Sequence, residues 1–396
     1  MILMLLTLFV FLLLLSVLVL IHEFGHFIVA KKLGIKVEEF GWGFPPKIWG
    51  KKIGETEYTI NALPFGGFVK LYGEDDAGGG KVGSSKVTGS GAKDVKRAFF
   101  ARSKSQRAAV VLAGVIMNVL LAFVIFYLYF AISGFRSTLP LLTDHRFTNV
   151  NQTNYNLNAT DTIVSFTVPE SPAGNLGMNL PADITEINGE EITDRTALIN
   201  IVNENRGKEI SVGWTELMTG EAKTGKITPR QNPPENEGAL GVAFFPVAYL
   251  QYESFSQKAF AGVTYSYDIM AYTVSVMKQL VSVSVETGDP APVGEAVSGP
   301  VGIYSAVGEI LSFPTFKERV LNMLTLAGTM SMSLAFFNVL PIPALDGGRL
   351  FFIVLEAITR KKINPKYEGM AHAVGFAVLM GLIILIVFSD IVKLLR

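Results

Sequence analysis

Apolar and polar positions fall into long blocks along this chain, and the blocks differ in period. Residues 2–21, ILMLLTLFVFLLLLSVLVLI, carry no charge. As a helix, a run of that length rises about 30 Å, the thickness of a bilayer's hydrocarbon core. No Lys or Arg precedes it and no small-residue cleavage site follows, so the pattern predicts a retained transmembrane helix and not a secretory signal. Three further spans are predicted at 108–133, at 321–345 (interrupted near its end by Pro341 and Pro343) and at 371–389. Between residues 40 and 72 apolar and polar positions alternate between Gly and Pro breaks. That predicts β-hairpins, with Trp42, Phe44, Trp49 and Phe65 suited to a membrane interface. Residues 135–250 show short apolar runs, such as 162–168 and 210–214, separated by turn signals at Asn188-Gly189 and Pro233-Pro234. They predict a soluble, β-rich domain.

The pattern predicts nine successive segments. Residues 1–34 hold the first span and 35–75 a membrane-associated β-hairpin region. Residues 76–105 form a Gly-, Ser- and Lys-rich cytoplasmic linker, and 106–134 the second span. The β-rich insert covers 135–250, and amphipathic helices at the membrane surface cover 251–320. The third span occupies 321–350, a cytoplasmic connection 351–370, and the fourth span 371–396.

Composition agrees with a membrane protein. Of 396 residues, 49% are hydrophobic and only 17% charged, and the mean hydropathy is +0.39. The formal net charge is zero, which gives no field to attract nucleic acid. Cysteine is absent, so disulfides and thiolate metal sites are excluded. Charge distribution supplies the orientation. The stretch 31–107 holds nearly twice as many basic as acidic residues, and the short connection 346–370 carries Arg349, Arg360, Lys361, Lys362 and Lys366. Residues 135–315 hold twice as many acids as bases. By the positive-inside rule the basic stretches are cytoplasmic. Both termini and the insert then lie outside the cytoplasm.

The chemistry enters at the end of the first span, in His22-Glu23-Phe24-Gly25-His26. Two histidines four apart share one helix face and can hold one metal ion, with Glu23 beside them to move a proton. Ionisable residues are costly near the lipid core, which argues for function. A catalytic zinc needs a third protein ligand. His145 falls in the insert, across the membrane. His372 begins the fourth span at a plausible depth, and Glu356 and Glu368 lie in the short cytoplasmic connection and could reach back. Asp346 is the better candidate, at the end of a span whose prolines forbid regular helix and beside Gly347 and Gly348, which allow close approach. The first and third spans both run inward, so His22, His26 and Asp346 reach one depth, toward the cytoplasmic side.

These residues carry a resemblance. His22–His26 together with NVLPIPALDGG, residues 338–348, looks like the site-2 protease family of the bacterial regulator of sigma-E protease type. The stretch 112–122, LAGVIMNVLLA, resembles that family's second-span motif, with Val115 where the motif has Pro and with Gly114 and Asn118 kept. SGPVGI, residues 298–303, also matches family usage. The resemblance implies an intramembrane zinc protease of the bacterial inner membrane that cuts transmembrane segments of other proteins, anti-sigma factors or leftover signal peptides among them. It implies His22, His26 and Asp346 as zinc ligands and Glu23 as general acid/base. Asn338 would hold the substrate backbone, Asn118 would join it in substrate contact, and the hairpins, with Gly66 and Gly67 giving close approach, would pair with an unwound substrate strand.

Within the insert, residues 168–192 resemble a PDZ core, with Ala182 where a Gly is usual. The insert has room for one such domain where the best-known relatives carry two. It is expected to contact substrate or a regulatory peptide by strand addition, or to shield the membrane site. The fold class expected is thus a polytopic α-helical membrane protein with four transmembrane helices, a membrane-associated β-hairpin region and one inserted PDZ-like domain. A metal transporter or zinc-dependent scaffold is the competing class, but neither has a use for Glu23 beside an open metal position.

Overall fold

The computed structural model describes residues 2–74 and 95–395, apart from 157, 159, 169, 218, 236 and 362. Most of the expected linker at 76–105, and Lys362, lie outside the described residues.

Helix α1, Ile2–Lys32, carries the uncharged run and ends in Lys31 and Lys32, cations at the negative end of the helix dipole. Gly34, at φ +70°, turns the chain out of it. Strands β1 (Val37–Ile53) and β2 (Thr56–Leu71) follow. Phe40 is in register with Val69 on one side and Tyr58 on the other, so both strands double back. Residues 39–42 lie inside this small sheet, between 57–60 and 67–70. Glu55, at the turn, accepts from Lys31 at 3.0 Å and from Arg97 at 2.6 and 2.8 Å. That joins the end of α1, the sheet and the chain beyond the linker.

Helix α2 is Lys104–Ser133. There follow β3 (Arg136–Pro140), β4 (Asn151–Tyr155), β5 (Ile163–Val164), β6 (Phe166–Thr167), β7 (Ala182–Ile187), β8 (Glu190–Glu191), helix α3 (Arg195–Glu204), β9 (Ile210–Glu216), β10 (Glu221–Ile227), β11 (Val242–Ala243) and β12 (Val247–Gln251). The chain closes with α4 (Phe255–Thr287), α5 (Ala291–Ala296), α6 (Pro300–Ser312), α7 (Phe316–Val339), α8 (Asp346–Thr359) and α9 (Pro365–Leu394). By length and composition, four of the described helices can cross a membrane: α1, α2, α7 and the Lys366–Leu394 part of α9.

The chain forms two compact units, Met1–Ile132 with Gly262–Arg396, and Ser133–Ala261. The second is the β-rich insert. Its main sheet runs β10-β9-β7-β5 with β8 on β7, beside a three-stranded β3-β12-β4 sheet and the β6–β11 pair. Asn188 and Gly189 take positive φ in the β7–β8 turn, as Asn-Gly predicts. Asp194 caps α3 by accepting from the Ala197 amide at 2.9 Å. Val164, Ile184, Ile187, Leu198, Ile210, Val212 and Trp214 form the core.

Glu216 is fully buried at the end of β9. It accepts from the Lys223 ammonium and the Asn179 carboxamide, each at 2.8 Å. Burial alone would push its carboxyl up, but the Lys223 and Asn179 bonds outweigh burial and hold it at about 2. A carboxylate with a depressed pKa stabilises the fold above its unfolded value, about 4.5, and that contribution fades as pH falls toward about 2. Glu216→Gln should therefore destabilise the unit by about 1–3 kcal/mol at pH 7. Urea unfolding followed by Trp214 fluorescence should show the difference from wild type shrinking between pH 4.5 and 2. An unchanged gap across that window would refute the role.

In the first unit the helices hold one another through polar caps and close contacts. Thr315 and Glu318 form a capping box at the start of α7. Asp390 of α9 accepts from the amides of Gly299 at 2.9 Å and Gly302 at 2.8 Å, where α6 begins with Pro300. Tyr265 of α4 packs edge-on against Phe126 and Phe130 of α2. Two boundaries differ from the sequence reading. The third apolar helix ends at Val339, because Pro341 and Pro343 cannot continue it. The connection expected after it is largely the helix α8, which opens on Asp346-Gly347-Gly348. A Cβ on Gly347 would strike the Leu340 carbonyl, and one on Gly348 would lie 2.6 Å from the Ile342 oxygen. Glycine here admits the fold-back that starts a helix, although in sequence it reads as a breaker.

Candidate active site

Helix α1 sets His22 and His26 on one face with their Nε2 atoms 3.1 Å apart. Asp346, the first residue of α8, brings Oδ2 to 2.9 Å from His22 Nε2 and 3.2 Å from His26 Nε2. Both histidines are 7% exposed. A tetrahedral zinc with bonds near 2.05 Å separates its ligand atoms by about 3.3 Å. The triangle of two imidazole nitrogens and one carboxylate oxygen fits that ion, and without a cation three lone-pair donors at this spacing repel. A carboxylate oxygen of Glu23 lies within 4.8 Å of a ring nitrogen of each histidine. Glu23 Oε2 accepts the Val69 amide of β2 at 3.0 Å.

The loop after α7 delivers Asp346. Ala344 sits at φ +81°, and its amide donates to His372 Nδ1 of α9 at 2.8 Å. A Cβ on Gly375, one turn along α9, would lie 2.6 Å from Pro343 Cβ. So His372, weighed from sequence as a ligand, holds the backbone two residues before the aspartate. Glu356, the second alternative, pairs with Arg107 and accepts the Ile363 amide at 3.1 Å. Glu368 stands in the first turn of α9. Arg349, the obvious local partner for Asp346, forms its ion pair with Glu74 after β2.

Helix α2 contributes a face of three positions, each four apart. The Val110 carbonyl lies 2.8 Å from His26 Nδ1. A Cβ on Gly114 would lie 2.7 Å from His22 Nε2 and would strike His26 Nε2. Asn118, fully buried, places Nδ2 3.3 Å from His22 Nδ1. In sequence Gly114 stands out only as a motif member, and Asn118 as a motif member and an expected substrate contact. The spacing of 110, 114 and 118 was the available signal that one face of this helix meets α1.

A cavity of about 230 Å³ opens beside the triangle, lined by Val19, His22, Glu23, Asn118, Leu334, Asn338, Ala344, Leu345 and Asp346. The broken backbone after α7 is thus part of its wall. Asn338, at the end of α7, faces it. Residues expected to meet substrate also have partners within the fold. The Asn118 amide is engaged by His22. Gly67 serves the seating of the sheet on α1, since a Cβ there would lie 2.9 Å from the Gly41 carbonyl and 3.3 Å from Leu20 Cδ1. Its neighbour Gly66, at φ +81°, lies under the Phe44 ring, 3.0 Å from where its Cβ would stand.

Two histidines, an aspartate and a neighbouring glutamate, set among apolar helices beside a cavity, make the arrangement of a membrane metalloprotease. The sequence model of peptidase family M50 matches residues 10–382, and the chain belongs to that family of zinc metalloproteases, the site-2 proteases. It is 32% identical to a zinc-metalloprotease homologue of Clostridium perfringens, over 95% of this chain and 96% of that one. It is 29% identical to the Regulator of sigma-W protease RasP of Bacillus subtilis, over 98% and 99%. Zinc metalloprotease RasP of Oceanobacillus iheyensis is 28% identical, over the same shares.

Proposed function

We propose that this chain is an intramembrane protease of a bacterial inner membrane, hydrolysing peptide bonds within or near transmembrane segments of other membrane proteins. The observation that carries the reading is the His22–His26–Asp346 triangle with Glu23 beside it, placed within helices apolar enough to span a bilayer. The four apolar helices cross the membrane with the basic stretches inside. Both termini and the insert then lie outside the cytoplasm, and the site lies toward the cytoplasmic side. The Bacillus subtilis relative is named a regulator of sigma-W. The substrates here are single-pass membrane proteins of that kind, an anti-sigma factor or a remnant signal peptide.

His22, His26 and Asp346 would hold the zinc, which would supply Lewis-acid polarisation of the scissile carbonyl and acidify the attacking water. Glu23 takes the proton from the attacking water and passes it to the leaving amine, with one carboxylate oxygen steadied by the Val69 amide. A transmembrane helix must unwind before it can be cut, and its freed amides and carbonyls then need partners where water is scarce. The 67–71 stretch of β2 offers backbone groups there, since the Val69 amide already points to Glu23. Asn338 offers a carboxamide from the cavity wall. The insert acts as a PDZ-like module that contacts the extracytoplasmic part of the substrate or a regulatory peptide.

Asp346→Asn should lower zinc content in purified protein, read by elemental analysis, while the helical circular dichroism stays at the wild-type level. Full zinc occupancy would remove Asp346 from the ligand set.

A further inference from the structure

We infer that Asn118 is a positioning residue for His22, its side-chain carbonyl accepting the Nδ1–H of that ring and so fixing the tautomer that turns Nε2 toward the metal. The inference rests on the metal reading of the triangle. His22 Nε2 faces Asp346 Oδ2 at 2.9 Å and His26 Nε2 at 3.1 Å. For Nε2 to offer a lone pair to a cation, the ring proton must sit on Nδ1, and a buried N–H there needs an acceptor. His26 meets the same demand with the Val110 carbonyl at 2.8 Å.

The group at His22 Nδ1 is the Asn118 carboxamide, 3.3 Å away. In the assigned orientation its NH2 faces the ring, and its Oδ1 is buried with no hydrogen-bond partner. The two ends of a carboxamide are almost equal in shape, so a half-turn exchanges them without moving the residue. That half-turn gives Oδ1 a donor and gives His22 the tautomer a metal requires. The backbone of Asn118 is anchored for this, since Ser331 Oγ of α7 donates to its carbonyl at 2.8 Å. Helix α2 supplies no ligand to the metal, yet through Val110 and Asn118 it sets the tautomer of both histidines.

The test compares Asn118→Asp, which keeps an acceptor, with Asn118→Leu, which keeps the volume and removes it. Zinc affinity of the purified full-length proteins is measured by chelator competition, and the His22 tautomer by 15N NMR of histidine-labelled protein. Asn118→Leu should bind zinc about 10- to 100-fold more weakly than wild type and lose the single protonated-Nδ1 signature. Asn118→Asp should stay within a few-fold of wild type. His22→Phe is the control for the site. If it leaves zinc affinity unchanged, the metal reading itself falls. If it abolishes binding while Asn118→Leu binds as wild type, or if both Asn118 variants weaken binding equally with unchanged thermal stability, the acceptor role is overturned.

Discussion

Glu23→Gln should bind zinc at the wild-type level and cleave no detectable substrate. The carboxamide has nearly the shape of the carboxylate and can still accept the Val69 amide, so the seat of β2 on α1 persists. None of the triangle distances involves Glu23, so the ligands stay in place. What is lost is the group that takes and returns a proton. General acid–base catalysis contributes about 10²–10⁴-fold, and a 10³-fold loss corresponds to about 4 kcal/mol in the barrier. The measurement is cleavage of a single-pass substrate in detergent or liposomes, alongside zinc content. Comparing membrane proteomes of cells carrying wild type or Glu23→Gln would show the substrates as accumulated single-pass fragments. Cleavage at the wild-type rate would remove Glu23 from the reaction.

Gly114→Ala should weaken zinc binding severely although no ligand is changed. Ala is a better helix former than Gly, by about 1 kcal/mol, so α2 by itself gains from the substitution. The new methyl, however, would stand 2.7 Å from both Cε1 and Nε2 of His22 and would strike His26 Nε2. It meets the very atoms that face Asp346 Oδ2. The two helices leave no slack between them here, since Gly25 is already against the Ala113 carbonyl, where a Cβ on Gly25 would clash. The rings must tilt, and the triangle opens. Zinc affinity should fall about 100-fold or more, the upper end of what disturbed ligand orientation costs. Chelator competition reads the loss, and circular dichroism should show the helices retained. A zinc-replete Gly114→Ala protein with normal activity would mean that α2 does not press on the ligands.

The two sets of residues were legible to different degrees. The His22–His26 spacing, Glu23 between them and the length of the uncharged run are local facts, and periodicity reads local facts well. Asp346 could be singled out because proline and glycine around it leave few backbone options. His372 could not be placed, because a histidine at the start of an apolar helix has the same local pattern whether it binds metal or accepts the Ala344 amide. Asn118, Gly66 and Gly67 read as substrate contacts in sequence, while the structure also gives each a partner within the fold. Close approach is a property of glycine, but the partner is chosen by whatever packs there, in this case Gly41 and Leu20.

The sequence by itself determined the apolar helices, the alternating hairpins, the β-rich insert and the chemical types at the centre. It did so because each depends on side chains within a few residues or on the length of one run. The tertiary structure decided which distant groups meet: Asp346 with His22 and His26, Val110 and Asn118 with the far side of those rings, Glu74 with Arg349, and His372 with the loop. Those pairings span tens to hundreds of residues. They follow from how helices α1, α2, α7, α8 and α9 pack, and the hydrophobic effect that packs them is blind to which polar group it brings beside which.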